Sequence, residues 1–230
     1  FGESYYFKLP VSDLIIDRLS ITMTLGVCGI SFALLTAVPL GVIAAIRPNS
    51  MIDRFALFVS VMGQAMPSFW FGLMMIVVFS IQLNLLPPSG TKSWINFIMP
   101  TVVLGYYAMP AIMRLTRAGM LDVLGSDYIR TARAKGAGEW RVLFKHALRN
   151  AIIPVVSLAA VQMGFMLGGS IVVESIFALH GAGYLAWESI GRNDLPTVQA
   201  LILVFSMFYI VFTFLSDVLN AWLDPRMRVA

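Results

Sequence analysis

Charge is scarce in this chain. Asp, Glu, Lys and Arg make up 12% of the 230 residues, against about 25% in a soluble domain. That shortage excludes an ordinary water-soluble globule and leaves lipid as the main solvent. Cysteine is rarer still: Cys28 stands alone, forms no intrachain disulfide, and reads as a small apolar packing residue. No Cys/His cluster offers a metal site, and the two histidines, His146 and His180, fall in polar segments on opposite sides of the expected membrane. No Gly-x-x-x-x-Gly-Lys-Ser/Thr phosphate loop occurs, so the chain is not expected to hydrolyse ATP itself. A membrane-embedded hydrolase is disfavoured because Ser170 has no histidine within a span to activate it. A signal peptide is also missing; the chain opens at Phe1 in polar and aromatic sequence, and an upstream piece is expected.

What is present is apolar. Hydrophobic residues make up 59% of the chain and mean hydropathy is +0.83. Five long uncharged stretches recur, at 19–46, 55–91, 95–113, 151–173 and 195–216, and a helical membrane crossing needs roughly 20 apolar residues. The expectation is an all-α integral membrane protein with five transmembrane helices in this chain. Spans are placed at about 19–46, 55–85, 95–113, 151–173 and 195–222, within a transmembrane domain over 19–225. Residues 1–18 are read as an external segment whose 14–18 stretch, with Pro10 and Ser12 as entry signals, forms a short interfacial helix. The second stretch, with Pro67 near its middle, is read as one long, kinked or tilted helix ended by Pro87-Pro88-Ser89-Gly90. Pro100 and Pro110 bracket the third span and read as helix-entry and packing features. Small residues at Gly26, Gly29, Ala33, Gly164, Gly168, Gly169 and Ser170 suit close helix packing in lipid.

Basic residues set the orientation. Segments 1–18, 86–94 and 174–194 hold Lys8, Arg18, Lys92 and Arg192, four of the sixteen Lys and Arg. The other twelve are Arg47, Arg54, eight within 114–150, Arg226 and Arg228. This bias places the N-terminus outside, and 114–150 and the 226–230 tail inside. Basic groups beside spans account for the pI near 9.4, and nucleic acid is not an expected partner.

The 114–150 segment is longer than a connection requires. Its local signals describe two short helices. Ser126 or Asp127 caps the first, 128–135, and Gly136 stops it; Gly138 precedes the second, 139–148. A helix of two turns, roughly 12 Å long, is marginal alone and calls for a docking partner. Local charge alone would equally support a loop that binds lipid headgroups.

Residues 127–136 (Asp-Tyr-Ile-Arg-Thr-Ala-Arg-Ala-Lys-Gly) and 145–154 (Lys-His-Ala-Leu-Arg-Asn-Ala-Ile-Ile-Pro) closely resemble the cytoplasmic signature loop of dipeptide/oligopeptide-type ABC importer permeases. Pro67-Ser68-Phe69-Trp70, Leu86-Pro87, Arg114-Leu115-Thr116-Arg117, Gly168 to Glu174, and Asp224-Pro225-Arg226 resemble family motifs in the family's order. The resemblance implies type I ABC importer permease architecture, with six spans in the full protein. It implies a coupling helix on Tyr128, Ile129, Arg130, Thr131, Ala132, Arg133, Lys135 and Gly136 that docks on an ATPase. The implied partners are a homologous second permease, two ABC ATPase subunits that carry ATP and Mg, and an external solute-binding protein, in a bacterial cytoplasmic membrane. No cofactor is implied for this chain. Two departures are visible: Arg130-Thr131-Ala132 replaces the broader signature's Glu-Ala-Ala, and His180-Gly181-Ala182-Gly183 lacks the proline usual before the Gly-x-Gly turn.

An ion-coupled secondary transporter or channel is the rival on physical grounds. Such carriers keep charged groups at mid-membrane, the five stretches have none, and no inverted repeat is found. Pathway candidates are the polar or flexible Gln64, Ser68, Gln162 and Met166. Glu174 and Asp217 border spans and read as packed polar end residues before gating groups; Glu174 and His180 are the candidates for an outer gate or loop.

Overall fold

The computed structural model describes residues 1–223, the side chains of 63, 64 and 223 excepted. The 226–230 tail and the Asp224-Pro225-Arg226 motif lie outside the described residues. The described chain is helical, with a single isolated bridge, Glu3 to Pro10, as its only extended pairing.

The first helix, α1, runs unbroken over Val11–Ile46. The separate interfacial helix expected at 14–18 is therefore the first turns of α1. Charge at Asp13, Asp17 and Arg18 suggested a boundary, yet Val11, Leu14 and Ile15 follow helical i, i+3, i+4 spacing and are all buried. Helix α2, Met51–Ala65, opens on a reciprocal cap. The Ser50 hydroxyl accepts from the Asp53 amide at 3.3 Å, and the Asp53 carboxylate accepts from the Asn49 amide at 2.9 Å.

The expected 55–85 helix is broken. Proline lacks an amide hydrogen and disfavours helical geometry in the residue before it, so α2 stops at Ala65, and Pro67 is extended (φ −61°, ψ 135°) at the N-cap of the next helix. Helix α3, Ser68–Met75, follows and continues as wider π-helical turns over Ile76–Gln82. A 3-10 turn, Trp94–Phe97, carries a Ser93/Asn96 capping box and leads into α4, Ile98–Leu124, with Pro110 inside it. Helix α4 thus runs well past the span end expected at 113. Then come α5, Asp127–Ala134, a π-helical stretch, Arg141–Leu148, and the single turn α6, Arg149–Ala151. Helices α7 (Ile153–Ile176), α8 (Ala182–Gly191) and α9 (Leu195–Leu223) complete the chain as described.

Among the described residues four helices are long and apolar enough to cross a membrane: Val11–Ile46, Trp94–Leu124, Ile153–Ile176 and Leu195–Trp222. The shorter apolar helix Ser68–Gln82 reaches about 22 Å at helical rise, short of the ~30 Å hydrocarbon core.

The chain divides into two compact units. One comprises Phe1–Phe32, Met66–Tyr107 and Gln162–Phe212; the other comprises Ala33–Ala65, Ala108–Val161 and the described residues from Thr213 on. In the first, Val11, Leu14, Ile15, Leu185, Ala186 and Leu201 form a buried apolar cluster. In the same unit a Cβ on Gly164 would meet the Tyr209 ring at 2.6 Å, which is close helix packing of the kind its sequence suggested. Gly168 and Gly169 differ: a Cβ on either would meet no described atom within 4 Å. In the second unit Val42, Ala45, Met120, Ile129, Val142, Ala147 and Ala151 form the core.

Candidate coupling and translocation sites

Helix α5 begins one residue before the position expected from sequence and ends one residue before it. Ser126 holds the N-cap position in extended geometry, but its hydroxyl donates back to the Val123 carbonyl and does not cap. Asp127 places negative charge in the first turn, where the helix dipole favours it. Its 3.0 Å pair with Arg130 is 85% and 92% exposed and adds little stability. At the other end Gly136 sits at φ +79°. The Gly136 amide donates to Arg133 O at 2.9 Å, and the Ala137 amide donates to Ala132 O at 3.1 Å. This bond pair is a Schellman stop, and it uses the left-handed backbone that glycine adopts freely.

Three attachments hold α5 to its own unit. Ile129 is fully buried among Met120, Val142, Ala147 and Ala151. The Tyr128 hydroxyl accepts from Asn150 Nδ2 at 2.7 Å and donates to the His146 carbonyl at 3.3 Å. Arg133 pairs in two-pronged fashion with Glu139 at 3.0 and 3.2 Å. A helix too short to be stable by itself is thus already seated on its own chain, where the sequence suggested a need for an outside partner. Ile129, expected to supply contact area to a partner, is turned inward. The exposed apolar area nearby belongs to Tyr128 and to Trp140 and Phe144, whose rings stack at 5.1 Å and 11°. Arg130, Thr131, Arg133 and Lys135 are exposed and Ala132 is half-buried. The Tyr128–Asn150 bond ties α5 to the turn that precedes α7.

A second polar cluster lies in the other unit. Glu174 is fully buried. Its Oε1 accepts from the Thr22 hydroxyl at 2.7 Å and its Oε2 from the Tyr184 amide at 2.8 Å; the Thr22 hydroxyl accepts from the Ala182 amide at 2.8 Å. Side chains of α1 and α7 thereby satisfy the open amides at the start of α8. A Cβ on Gly181 would stand 2.6 Å from both Glu174 Oε2 and Thr22 Oγ1, and one on Gly183 would stand 2.9 Å from Ser170 Oγ. The Gly181-Ala182-Gly183 sequence is thus required by the approach of the carboxylate. His180 is exposed and meets Tyr184 edge-on at 4.9 Å; it takes no part in the knot.

Nearby, Asp194 is buried, accepting from the Ser4 hydroxyl, the Tyr5 amide at 2.9 Å and the Thr197 hydroxyl at 2.8 Å. Burial raises its pKa, but these donors outweigh it and hold the carboxyl below its ordinary value. Arg192 lies 4.5 Å from the Tyr6 ring centre, so the 1–10 segment is pinned to the α8–α9 turn. In the second unit Asp53, 2% exposed, forms a bidentate pair with Arg117 at 2.7 Å through both oxygens. The Arg117 hydrogen bond is the main cause of a lowered Asp53 pKa. None of these roles was anticipated from sequence. The Asp194-Leu195-Pro196-Thr197 cap signal was there to be found.

The pathway candidates scatter. The Gln64 side chain lies outside the described residues. Ser68 is half-buried at the start of α3, beside exposed Phe69 and Trp70. Gln162 is half-buried on α7, sharing a face at i, i+3, i+7, i+10 spacing with exposed Phe165, Gly169 and Val172. Met166 is only 3% exposed; it packs inside its own unit, and Phe165 takes its place on the open surface.

Residues 37–229 match the family described as binding-protein-dependent transport system inner membrane component. The chain is 42% identical over 228 residues to a glutathione transport system permease protein, GsiC, of Escherichia coli, covering 99% of this chain and 74% of that one. It is 40% identical over 227 residues to the like-named protein of Pectobacterium atrosepticum, with the same coverage. Among solved structures, a subunit of the inward-facing MetNI methionine ABC transporter superposes with a TM-score of 0.77 at 18% identity, over 94% of this chain and 98% of that one. A chain of an amino acid ABC transporter gives 0.69 at 15%, over 91% and 94%. These two establish a shared fold, the all-helical type I importer permease. The chain belongs to the binding-protein-dependent transport inner membrane component family and is a permease component of an ABC importer.

Proposed function

We propose that the chain forms half of a translocation pathway for peptides or similarly sized solutes, with a small thiol peptide such as glutathione as the first candidate. A homologous second permease supplies the other half, and an external solute-binding protein delivers the cargo. Two ABC ATPase subunits, which carry ATP and Mg, dock against α5. The chain itself is no enzyme and resides in a bacterial cytoplasmic membrane, with 114–150 inside by the twelve-to-four count of basic residues. The observation that carries this reading is α5, a short helix fixed to its own unit by Ile129 and Tyr128, with Arg130, Thr131 and Lys135 exposed on its outer side. ATP-driven movement of the partners shifts α5 and, through Asn150, the start of α7, which gives alternating access.

The relatives' printed cargo, glutathione, supports the choice of substrate class. Support for the second permease comes from the α7 face carrying Gln162, Phe165 and Val172, with Gly168 and Gly169 bare beside it and open to close approach. Ser68 and Gln162 are uncharged hydrogen-bonding groups, as suits a cargo of amide and carboxylate groups that must not be held tightly; Gln64 stays in the set by sequence alone. An ion-coupled carrier is less well supported. Among the described residues the ionisable group buried within a spanning helix, Glu174, has its oxygens committed to Thr22 and Tyr184.

The test is uptake of labelled glutathione and short peptides into proteoliposomes holding the complete importer with internal ATP and external binding protein. Uptake should require ATP and vanish when residues 127–136 are replaced by a Gly/Ser linker. Uptake driven by an ion gradient without ATP would overturn the proposal.

A further inference from the structure

Where α6, the start of α7 and the end of α9 meet, a groove of about 160 Å³ is lined by Arg149, Asn150, Ile153 and Trp222. Two of these residues are polar and two apolar. Arg149 is exposed, and among the described residues no ion pair holds it, Asp127 being engaged with Arg130 and Glu139 with Arg133. Asn150 keeps its Nδ2 on Tyr128 and His146, which fixes that wall. Ile153 is the first residue of α7, and Trp222, 70% exposed, stands at the end of the apolar α9 helix. The groove therefore lies at the level where two spanning helices reach the polar boundary of the bilayer.

The surroundings repeat the same chemistry. Arg141, Lys145 and Arg149 recur every four residues, all exposed, beside the exposed Trp140–Phe144 stack. Cations draw anionic headgroups, and tryptophan favours the headgroup level. A guanidinium matches phosphate with two parallel hydrogen bonds.

We infer that this groove is a phospholipid site, in which Arg149 holds the headgroup phosphate of an anionic lipid and an acyl chain lies along Ile153 and Trp222. The lipid bridges the start of α7 and the end of α9 in the leaflet that adjoins α5. The site is separate from the solute pathway and from the α5 face assigned to the ATPase.

The complete importer in nanodiscs tests this. The probes are brominated phosphatidylglycerol and brominated phosphatidylcholine, and the readout is the Trp222 fluorescence, taken as the difference between the unaltered chain and Trp222→Phe. Brominated phosphatidylglycerol should quench at about fivefold lower mole fraction, the preference expected of one basic group at a membrane surface. Arg149→Gln should bring that ratio to about one, whereas Arg149→Lys should keep most of it and Arg141→Gln should leave it intact. Excess inorganic phosphate should not relieve the quenching. Equal quenching by both lipids, a preference that survives Arg149→Gln, or relief by free phosphate would overturn the proposal. So would a Trp222 shielded from both lipids in the complete importer, which would mark the groove as a protein contact.

Discussion

Replacing Gly136 with valine isolates one physical effect. The residue sits at φ +79°, and a Cβ built there meets nothing within 4 Å. Any cost is therefore backbone strain and not a clash. Left-handed geometry costs an L-residue roughly 1–2 kcal/mol, with a β-branched side chain at the upper end. If α5 relaxes to avoid that strain, it loses the bonds from the Gly136 and Ala137 amides to Arg133 O and Ala132 O. A shift of this size lowers the population of the correctly ended helix by about 5- to 30-fold. Gly138 is the matched control: its Cβ also meets nothing, and it takes no positive φ. In solute-stimulated ATP hydrolysis by the reconstituted complex, Gly136→Val should lose at least about fivefold, while Gly136→Asn, whose side chain tolerates this region, loses less. Gly138→Val should stay within about twofold of the unaltered protein, because no strained backbone is involved. Arg133→Ala should also be mild, since the Arg133–Glu139 pair is 44% and 63% exposed and such pairs contribute below about 1 kcal/mol. Equal losses for Gly136→Val and Gly138→Val would refute the strain reasoning.

Further outcomes follow from the other clusters. In a Cys28→Ala background, Asp127→Cys should react with a membrane-impermeant thiol reagent only from the inside and Ser89→Cys only from the outside; reaction from one side for both would reverse the orientation. Glu174→Gln removes an acceptor from the Thr22–Tyr184 knot, leaves a buried group unpaired, and should cost about 1–3 kcal/mol, read as a lowered thermal midpoint in detergent. An unchanged midpoint would mean that the knot does not hold α8. Asp53→Asn should destabilise by a similar ~1–3 kcal/mol at neutral pH. The lowered Asp53 pKa makes its contribution fully present above the unfolded value near 3.9 and lost as pH falls through the lower folded value. The gap between Asp53→Asn and the unaltered chain should accordingly stay constant from about pH 5 to 8 and close in stronger acid; a gap that narrows between pH 8 and 5 would assign the effect to another group.

The spans were legible because a helix crossing lipid needs a long apolar run, and such runs can be read in one dimension. Helix α5 was legible because its ends are chemically marked, by Asp127 at the start and Gly136 at the stop. Proline chemistry marked Pro67 as a kink; that the kink is a full break does not show in hydropathy, which stays apolar on both sides. Hydropathy also drew the start of α1 too late, because Asp13, Asp17 and Arg18 mask the buried stripe of Val11, Leu14 and Ile15. The inward turn of Ile129 and Met166 depends on neighbours supplied by other helices: Val142 and Ala147 pack on Ile129, and no local pattern names them. Glu174 looked like a residue at a span end. Its role became visible only once Thr22 and Tyr184, 152 and 10 residues away along the chain, were seen to donate to it.

The central claim is that the outer face of α5 meets the ATPase while its inner face does not. Single cysteines at Arg130→Cys, which is outward and exposed, and at Ile129→Cys, which is buried, test it by bifunctional thiol crosslinking within the complete importer. Arg130→Cys should give a permease–ATPase adduct whose yield changes with ATP, and Ile129→Cys should give none. Adducts from Ile129→Cys alone, or from neither position while the complex stays assembled, would contradict the account.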